Sequence, residues 1–199
     1  MSGIIGGTGS KSGVLGQTGS GWIKVWGKEI TSDSGSSSLN VASTVTTAGT
    51  VFTNRFDRYM IVISHFSCTA STDPSFYQYI DGSKVTSSVR RCQMYNYSNT
   101  SDDPAVNNSD SVVAVPFCMQ TGDDAGKGCD VEMYVDRPWS GHEKRIWGRS
   151  SGYTGVENRL ISTFFDAGSN STGVFTGLEL VGGSNIDHAI IGVYGLSRH

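Results

Sequence analysis

Apolar and polar residues alternate, or apolar residues gather in short runs, over residues 22–26, 41–52, 59–66, 76–80, 85–95, 112–119, 131–135, 145–147, 160–165, 175–181 and 189–194. These stretches are rich in Val, Ile, Thr, Tyr and Phe, and clusters of Gly, Ser, Asn and Asp separate them, which is the pattern of strands and turns. No stretch carries apolar residues at i, i+3, i+4 and i+7 over three turns, so no long amphipathic helix is predicted. Short strands at this spacing bury their apolar faces by stacking two sheets. The predicted fold is all-β, a jelly-roll-like antiparallel β-sandwich. Asp81-Gly82, set between Ile80 and Val85, marks a tight hairpin turn. Pro74, Pro104 and Pro138 fall in loops or at strand ends. Pro116 interrupts an apolar run and predicts an edge strand or a bulge, because proline donates no ladder hydrogen bond.

The strand pattern begins only at Trp22. Residues 1–21 hold eight of the 26 glycines, one charge (Lys11) and no aromatic residue. They also repeat: Gly3-Ile4-Ile5-Gly6-Gly7-Thr8-Gly9-Ser10 matches Gly13-Val14-Leu15-Gly16-Gln17-Thr18-Gly19-Ser20. Two aliphatics flanked by glycines bury too little area to offset an ordering cost of about 1–2 kcal/mol per residue. Such a copy has two uses, as a loose tail or as a peptide ordered against a partner. The second is the expectation: Ile4, Ile5, Val14 and Leu15 would enter small pockets while the glycines let the backbone lie close to the receptor. Gly7-Thr8-Gly9-Ser10-Lys11-Ser12 is not a phosphate loop, because Ser10 and Ile5 stand where that loop requires glycine. The division expected is therefore an extended docking arm, 1–21, and a β-sandwich domain, 22–199.

Two polar stretches interrupt the body. Residues 96–110 carry three carboxylates and no basic residue, and residues 140–158 mix Gly, His, Arg and aromatics. Both are expected as long loops, where contact functions concentrate. Residues 32–38 are expected as a connection or hairpin tip. The formal net charge of −3, with a charged fraction of 17%, supplies no basic stripe for phosphate neutralisation, so a nucleic-acid partner is not expected. No apolar run approaches the length of a membrane span. The first residues lack the charged start and apolar run of a secretory signal, so synthesis in a cytoplasm is expected.

Little in the chain reads as catalysis. Cys68, Cys92, Cys118 and Cys129 show no C-x-x-C spacing, and without a secretory context they are expected as buried thiols in strands. His65, His142, His188 and His199 are scattered, so no metal site is predicted. Asp102-Asp103 and Asp123-Asp124 do not alternate as calcium-loop ligands do. No G-x-S-x-G elbow marks a nucleophile. No cofactor is expected. One segment carries a second meaning: Trp139 and His142, with Trp147 a few residues on, combine ring faces that stack on sugars with hydrogen-bonding neighbours. Burial in the core or in a subunit interface is the competing account of the tryptophans.

The opening MSGIIGGTGSKSGVLG resembles a short N-terminal module at the front of structural proteins of tailed bacteriophages from marine and fresh water. The closing Phe175-Thr176-Gly177-Leu178-Glu179-Leu180 and Ile190-Ile191-Gly192-Val193-Tyr194-Gly195-Leu196 is similar to the final strand pair of phage β-sandwich virion proteins. The resemblance implies a non-enzymatic virion protein, assembled in the host bacterial cytoplasm, homotrimeric and partnered by other virion proteins. On that reading it is a capsid cement or decoration protein docked on the major capsid protein. The alternative is a short tail fibre or receptor-binding protein, docked on a tail component and reading a host glycan.

Overall fold

The computed structural model describes residues 21–41, 51–53, 55–87, 89–97, 105–118, 127–139, 141–153 and 160–197. Ile4, Ile5, Val14 and Leu15 of the arm, and the pairs Asp102-Asp103 and Asp123-Asp124, lie outside the described residues. The strands are β1 (Trp22–Ile30), β2 (Ser38–Val41), β3 (Phe56–Cys68), β4 (Ser75–Ile80), β5 (Ser83–Lys84), β6 (Val89–Tyr97), β7 (Ala105–Val112), β8 (Val115–Pro116), β9 (Cys129–Asp136), β10 (Lys144–Tyr153), β11 (Leu160–Ser169), β12 (Phe175–Val181) and β13 (Ile186–Ser197). They form two antiparallel sheets packed as a sandwich, which is the all-β architecture that the alternation predicts. The larger sheet has eight strands in the order β1-β13-β3-β9-β10-β11-β6-β7. The smaller has five: β2-β12-β4-β5, with β8 paired to β4.

The core lies between the sheets and is supplied by the inward positions of nearly every strand. On β9 these are Cys129, Val131, Met133 and Val135; on β3, Tyr59, Ile61 and Ile63; on β12 and β4, Leu178, Leu180, Phe76 and Ile80. Aromatic rings knit the two layers together. Phe76 meets Phe165 at 5.9 Å between centroids, and Phe52 packs edge-on against Tyr59 at 4.9 Å and Phe175 at 4.8 Å. The Tyr59 hydroxyl is kept satisfied in this apolar setting: it donates to the Thr53 carbonyl at 2.9 Å and accepts from the Thr53 amide at 2.7 Å. Burial raises its pKa above the ordinary tyrosine value.

The two-residue period breaks twice along β3, first between the buried Phe56 and Tyr59 and again in the second half of the strand. The register with β9 shifts between Ile63 and Phe66, and His65 adopts a φ of 58°. This bulge moves the inward positions from 59, 61 and 63 to Phe66 and Cys68, so both halves of a long strand face the same core. The His65 amide, freed from the ladder, donates to Asp130 Oδ1 at 2.8 Å.

Several boundaries differ from the sequence expectations, each for a physical reason. The described part of the acidic stretch 96–110 is strand: β6 runs to Tyr97 and β7 starts at Ala105, and residues 98–104 lie outside the described residues. β7 is the last strand of the large sheet, and its described side chains are half-buried or exposed, so no apolar alternation is imposed on it. The stretch 140–158 contains the whole of β10, whose inward positions are Lys144, Ile146, Gly148, Ser150 and Gly152. Of the stretch 41–52, Val41 closes β2 and Phe52 fills the core outside any strand; residues 42–50 lie outside the described residues. Pro116 sits in the two-residue β8 beside β4, as an edge position requires. Asp81 and Gly82 take φ values of 50° and 75° between β4 and β5, the left-handed pair that a tight hairpin needs. The cysteine expectation needs one correction. Cys68, Cys118 and Cys129 are buried, but Cys92 is exposed because it falls on an outward position of β6, and Cys118 lies beyond the end of β8.

Candidate functional site

The outer face of the eight-stranded sheet concentrates the polar and aromatic chemistry of the described residues. Antiparallel register aligns outward side chains in rows across the strands. One row runs Trp22, Leu196, Arg58, Asp136, Arg145, from β1 across β13, β3 and β9 to β10. The next runs Lys24, Tyr194, Met60, Tyr134, Trp147, Asp166. A third brings Glu132 beside Arg149 and Phe164.

Where the first two rows meet, the rings and charges interlock. Tyr134 and Trp147 are stacked, with centroids 4.5 Å apart and planes inclined by 22°. The Trp22 ring also meets Tyr134, tilted by 52° with centroids 6.0 Å apart. The Arg58 guanidinium stands 5.9 Å over the Trp147 ring, and its Nε donates to Asp136. Asp136 also accepts the Trp147 indole N–H at 2.9 Å, so one carboxylate fixes both the ring and the cation above it. Arg145 grips Asp166 through Nε at 3.0 and 3.1 Å and through a terminal nitrogen. That partner raises its pKa further above the usual arginine value.

Glu132 receives hydrogen bonds from the Tyr134 hydroxyl and, at 3.0 Å, from Arg149. The Tyr134 bond, followed by the Arg149 bond and charge, holds the Glu132 carboxyl below its ordinary pKa. The same bond, reinforced by burial, raises Tyr134. Exposed ion pairs of this kind add only about 0–1 kcal/mol each to stability, so their consequence is geometric. They lock the rotamers of a surface that would otherwise be flexible.

Beside this network lies a groove of about 860 Å³, lined by Asp57, Arg58, Asp136, Arg137, Glu143, Arg145 and Leu196. Its walls present three carboxylates, three guanidinium groups and one aliphatic side chain. A second depression of about 430 Å³ lies further along the same face, among Val62, Ser64, Glu132, Arg149 and Phe164. The Tyr134–Trp147 stack belongs to the row between the two. Arg137 and Glu143 form no ion pair among the described residues.

The three residues singled out from the sequence take two different places. Trp147 joins the aromatic row on the sheet. Trp139 and His142 pair with each other at the β9–β10 turn, 6.3 Å between ring centroids. Lys144 organises this turn. It is fully buried, and its ammonium donates to the carbonyls of Trp139 and, at 2.6 Å, His142. Loss of hydration lowers its pKa from the ordinary lysine value. The turn is also tied to the β11–β12 connection, through Gly141 N to Thr172 O at 2.8 Å and Phe175 N to Pro138 O at 2.6 Å. This anchored turn places Arg137 and Glu143 at the groove. Sequence reading reached the turn and Trp147 but not Trp22, Arg58, Tyr134 or Asp136, because only the strand register brings those together.

Elsewhere, buried Cys129 is pushed well above the usual thiol range by loss of hydration and by the neighbouring Cys118. Such a thiol is a poor nucleophile at neutral pH. His65 and His188 meet edge-on at 6.0 Å, and Asp187 lies 2.8 Å from His188 Nδ1. Among the described residues, no group of three or more His, Cys, Asp or Glu side chains is placed to hold a metal ion. No family model, curated protein or solved structure matches this chain.

Proposed function

We propose that this chain is a non-enzymatic structural protein of a tailed-phage virion, a capsid cement or decoration protein attached through residues 1–21. The observation that carries the reading is the junction between arm and body. The repeated Gly-aliphatic arm runs directly into β1, which is an edge strand of the larger sheet. A segment leaving from an edge can extend over a neighbouring surface without breaking the sandwich. Weak contacts from paired aliphatics gain strength by repetition: a trimer would present three arms to a symmetric shell.

The outer-face carboxylates support a binding or structural role for the body. Asp136, Asp166 and Glu132 are each paired with an arginine on a neighbouring strand. Glu132 is held on the ionised side, whereas a general acid needs its pKa raised toward the working pH.

The tail-fibre or receptor-binding reading is favoured by one observation, the groove beside the Trp22, Tyr134 and Trp147 rings. Quantitative mass spectrometry of purified particles separates the two locations. A decoration protein is expected at copy numbers on the order of hundreds per particle, whereas a tail component is limited to a few dozen by the symmetry of the tail. Absence of the chain from purified particles would refute both.

A further inference from the structure

We propose that the groove lined by Asp57, Arg58, Asp136, Arg137, Glu143, Arg145 and Leu196 binds a neutral oligosaccharide, with the indole of Trp22 as the platform for one sugar ring. The proposal concerns the body alone and does not depend on where, or whether, the arm attaches to a particle.

The lining selects the ligand class. Three carboxylates and three guanidinium groups line the groove, so its formal charges balance and its net charge favours neither an anion nor a cation. A hydroxyl group both donates and accepts, and a ligand rich in hydroxyls can satisfy both kinds of wall without bringing a charge to be desolvated.

The apolar element stands at one end. Trp22 pairs in register with Leu196, a groove residue, and its side chain is among the exposed large hydrophobics at 38%. An exposed indole beside a polar groove offers the stacking face that the axial C–H faces of a pyranose require.

Preorganisation is the third argument. Arg58 is held by Asp136 and the Trp147 ring, and Asp136 by Arg58 and the Trp147 N–H. Arg145 is fixed by Asp166. These side chains do not have to be ordered when a ligand arrives, which lowers the entropic cost of binding. Arg137 and Glu143, at the β9–β10 turn, remain available to adapt to it.

The test uses the full-length chain on an array of neutral oligosaccharides from bacterial surface polysaccharides, followed by titration of any hit through intrinsic tryptophan fluorescence. The expected result is a saturable hit whose affinity falls about tenfold or more in Trp22→Ala, the scale of one truncated aromatic hot spot. Glu143→Ala and Arg137→Asn are expected to weaken it too. Asparagine is chosen at position 137 because Arg137 has a φ of 49°, which asparagine tolerates. Phe164→Ser, on the same face beside the second depression, serves as the control and leaves the affinity unchanged. Thermal melting confirms that each variant is folded. Absence of any array hit overturns the proposal. So does a hit whose affinity is unmoved by Trp22→Ala and Arg137→Asn, or one weakened equally by Phe164→Ser.

Discussion

Glu132 and Tyr134 stand on the same face of β9 and share a hydrogen bond, the Tyr134 hydroxyl donating to the carboxylate. It lowers the Glu132 pKa from 4.5, so the folded state binds a proton on this group less readily than the unfolded chain does. The stabilising contribution is therefore complete above pH 4.5 and is lost as the pH falls through the lower folded value. The melting temperature of Glu132→Gln is expected below that of the wild type at neutral pH. The gap is expected to narrow as the pH drops below 4.5 and then to close. A gap that persists unchanged into strong acid would mean that the carboxylate's charge does not support the fold.

At the same scale, Gly148 explains a silence in the sequence. A Cβ there would lie 2.3 Å from the Glu132 carbonyl oxygen and 2.9 Å from the Phe165 ring. The residue that fills this inward site belongs to the neighbouring strand, and a hydrophobicity pattern read along β10 alone cannot register it.

Elements differ in how plainly they are written. β3, β9, β11, β12 and β13 each turn one face to the opposite sheet, so burial forces apolar residues onto that face and the alternation shows. β10 is just as central, yet Lys144, Gly148, Ser150 and Gly152 occupy four of its inward positions. The buried ammonium of Lys144 there holds the β9–β10 turn, and Ser150 donates its hydroxyl to the Phe117 carbonyl at 2.5 Å. Polar residues chosen for such tasks erase the strand signature. β7 lost it for the opposite reason, being an edge strand with little to bury.

The hairpin between β4 and β5 was legible because its constraint is local. Asp81 and Gly82 both need left-handed φ, and the turn is clamped to β12 and its approach: Asp81 Oδ1 accepts from Val174 N at 2.8 Å, and Gly82 N donates to Thr176 Oγ1 at 3.1 Å. Gly82→Ala is expected to cost about 1–2 kcal/mol in urea unfolding, the penalty of a Cβ in that conformation. A cost near zero would show that the turn relaxes without strain.

For the molecule as a whole, the pattern of residues 22–199 carried the all-β fold, because two-residue periodicity puts the apolar side chains on one face of each sheet and stacking two sheets buries both faces. It could not carry the candidate site. Trp22, Arg58, Tyr134, Asp136 and Trp147 come from four strands scattered through the sequence, and they meet because β1, β13, β3, β9 and β10 lie side by side. Trp147 alone was visible beforehand, as a ring face a few residues beyond Trp139 and His142. The arm is the reverse case: its repeat is plain in the sequence, and its role depends on a partner.

The central claim is attachment through that arm, and the direct measurement is incorporation of the chain lacking residues 1–21 into particles, assembled beside the full-length chain and assayed after gradient purification. The truncated body is expected to fold, giving a β-type circular dichroism spectrum and cooperative melting, and to be missing from the particles. Truncated chain that copurifies with particles at the full-length stoichiometry would contradict the claim.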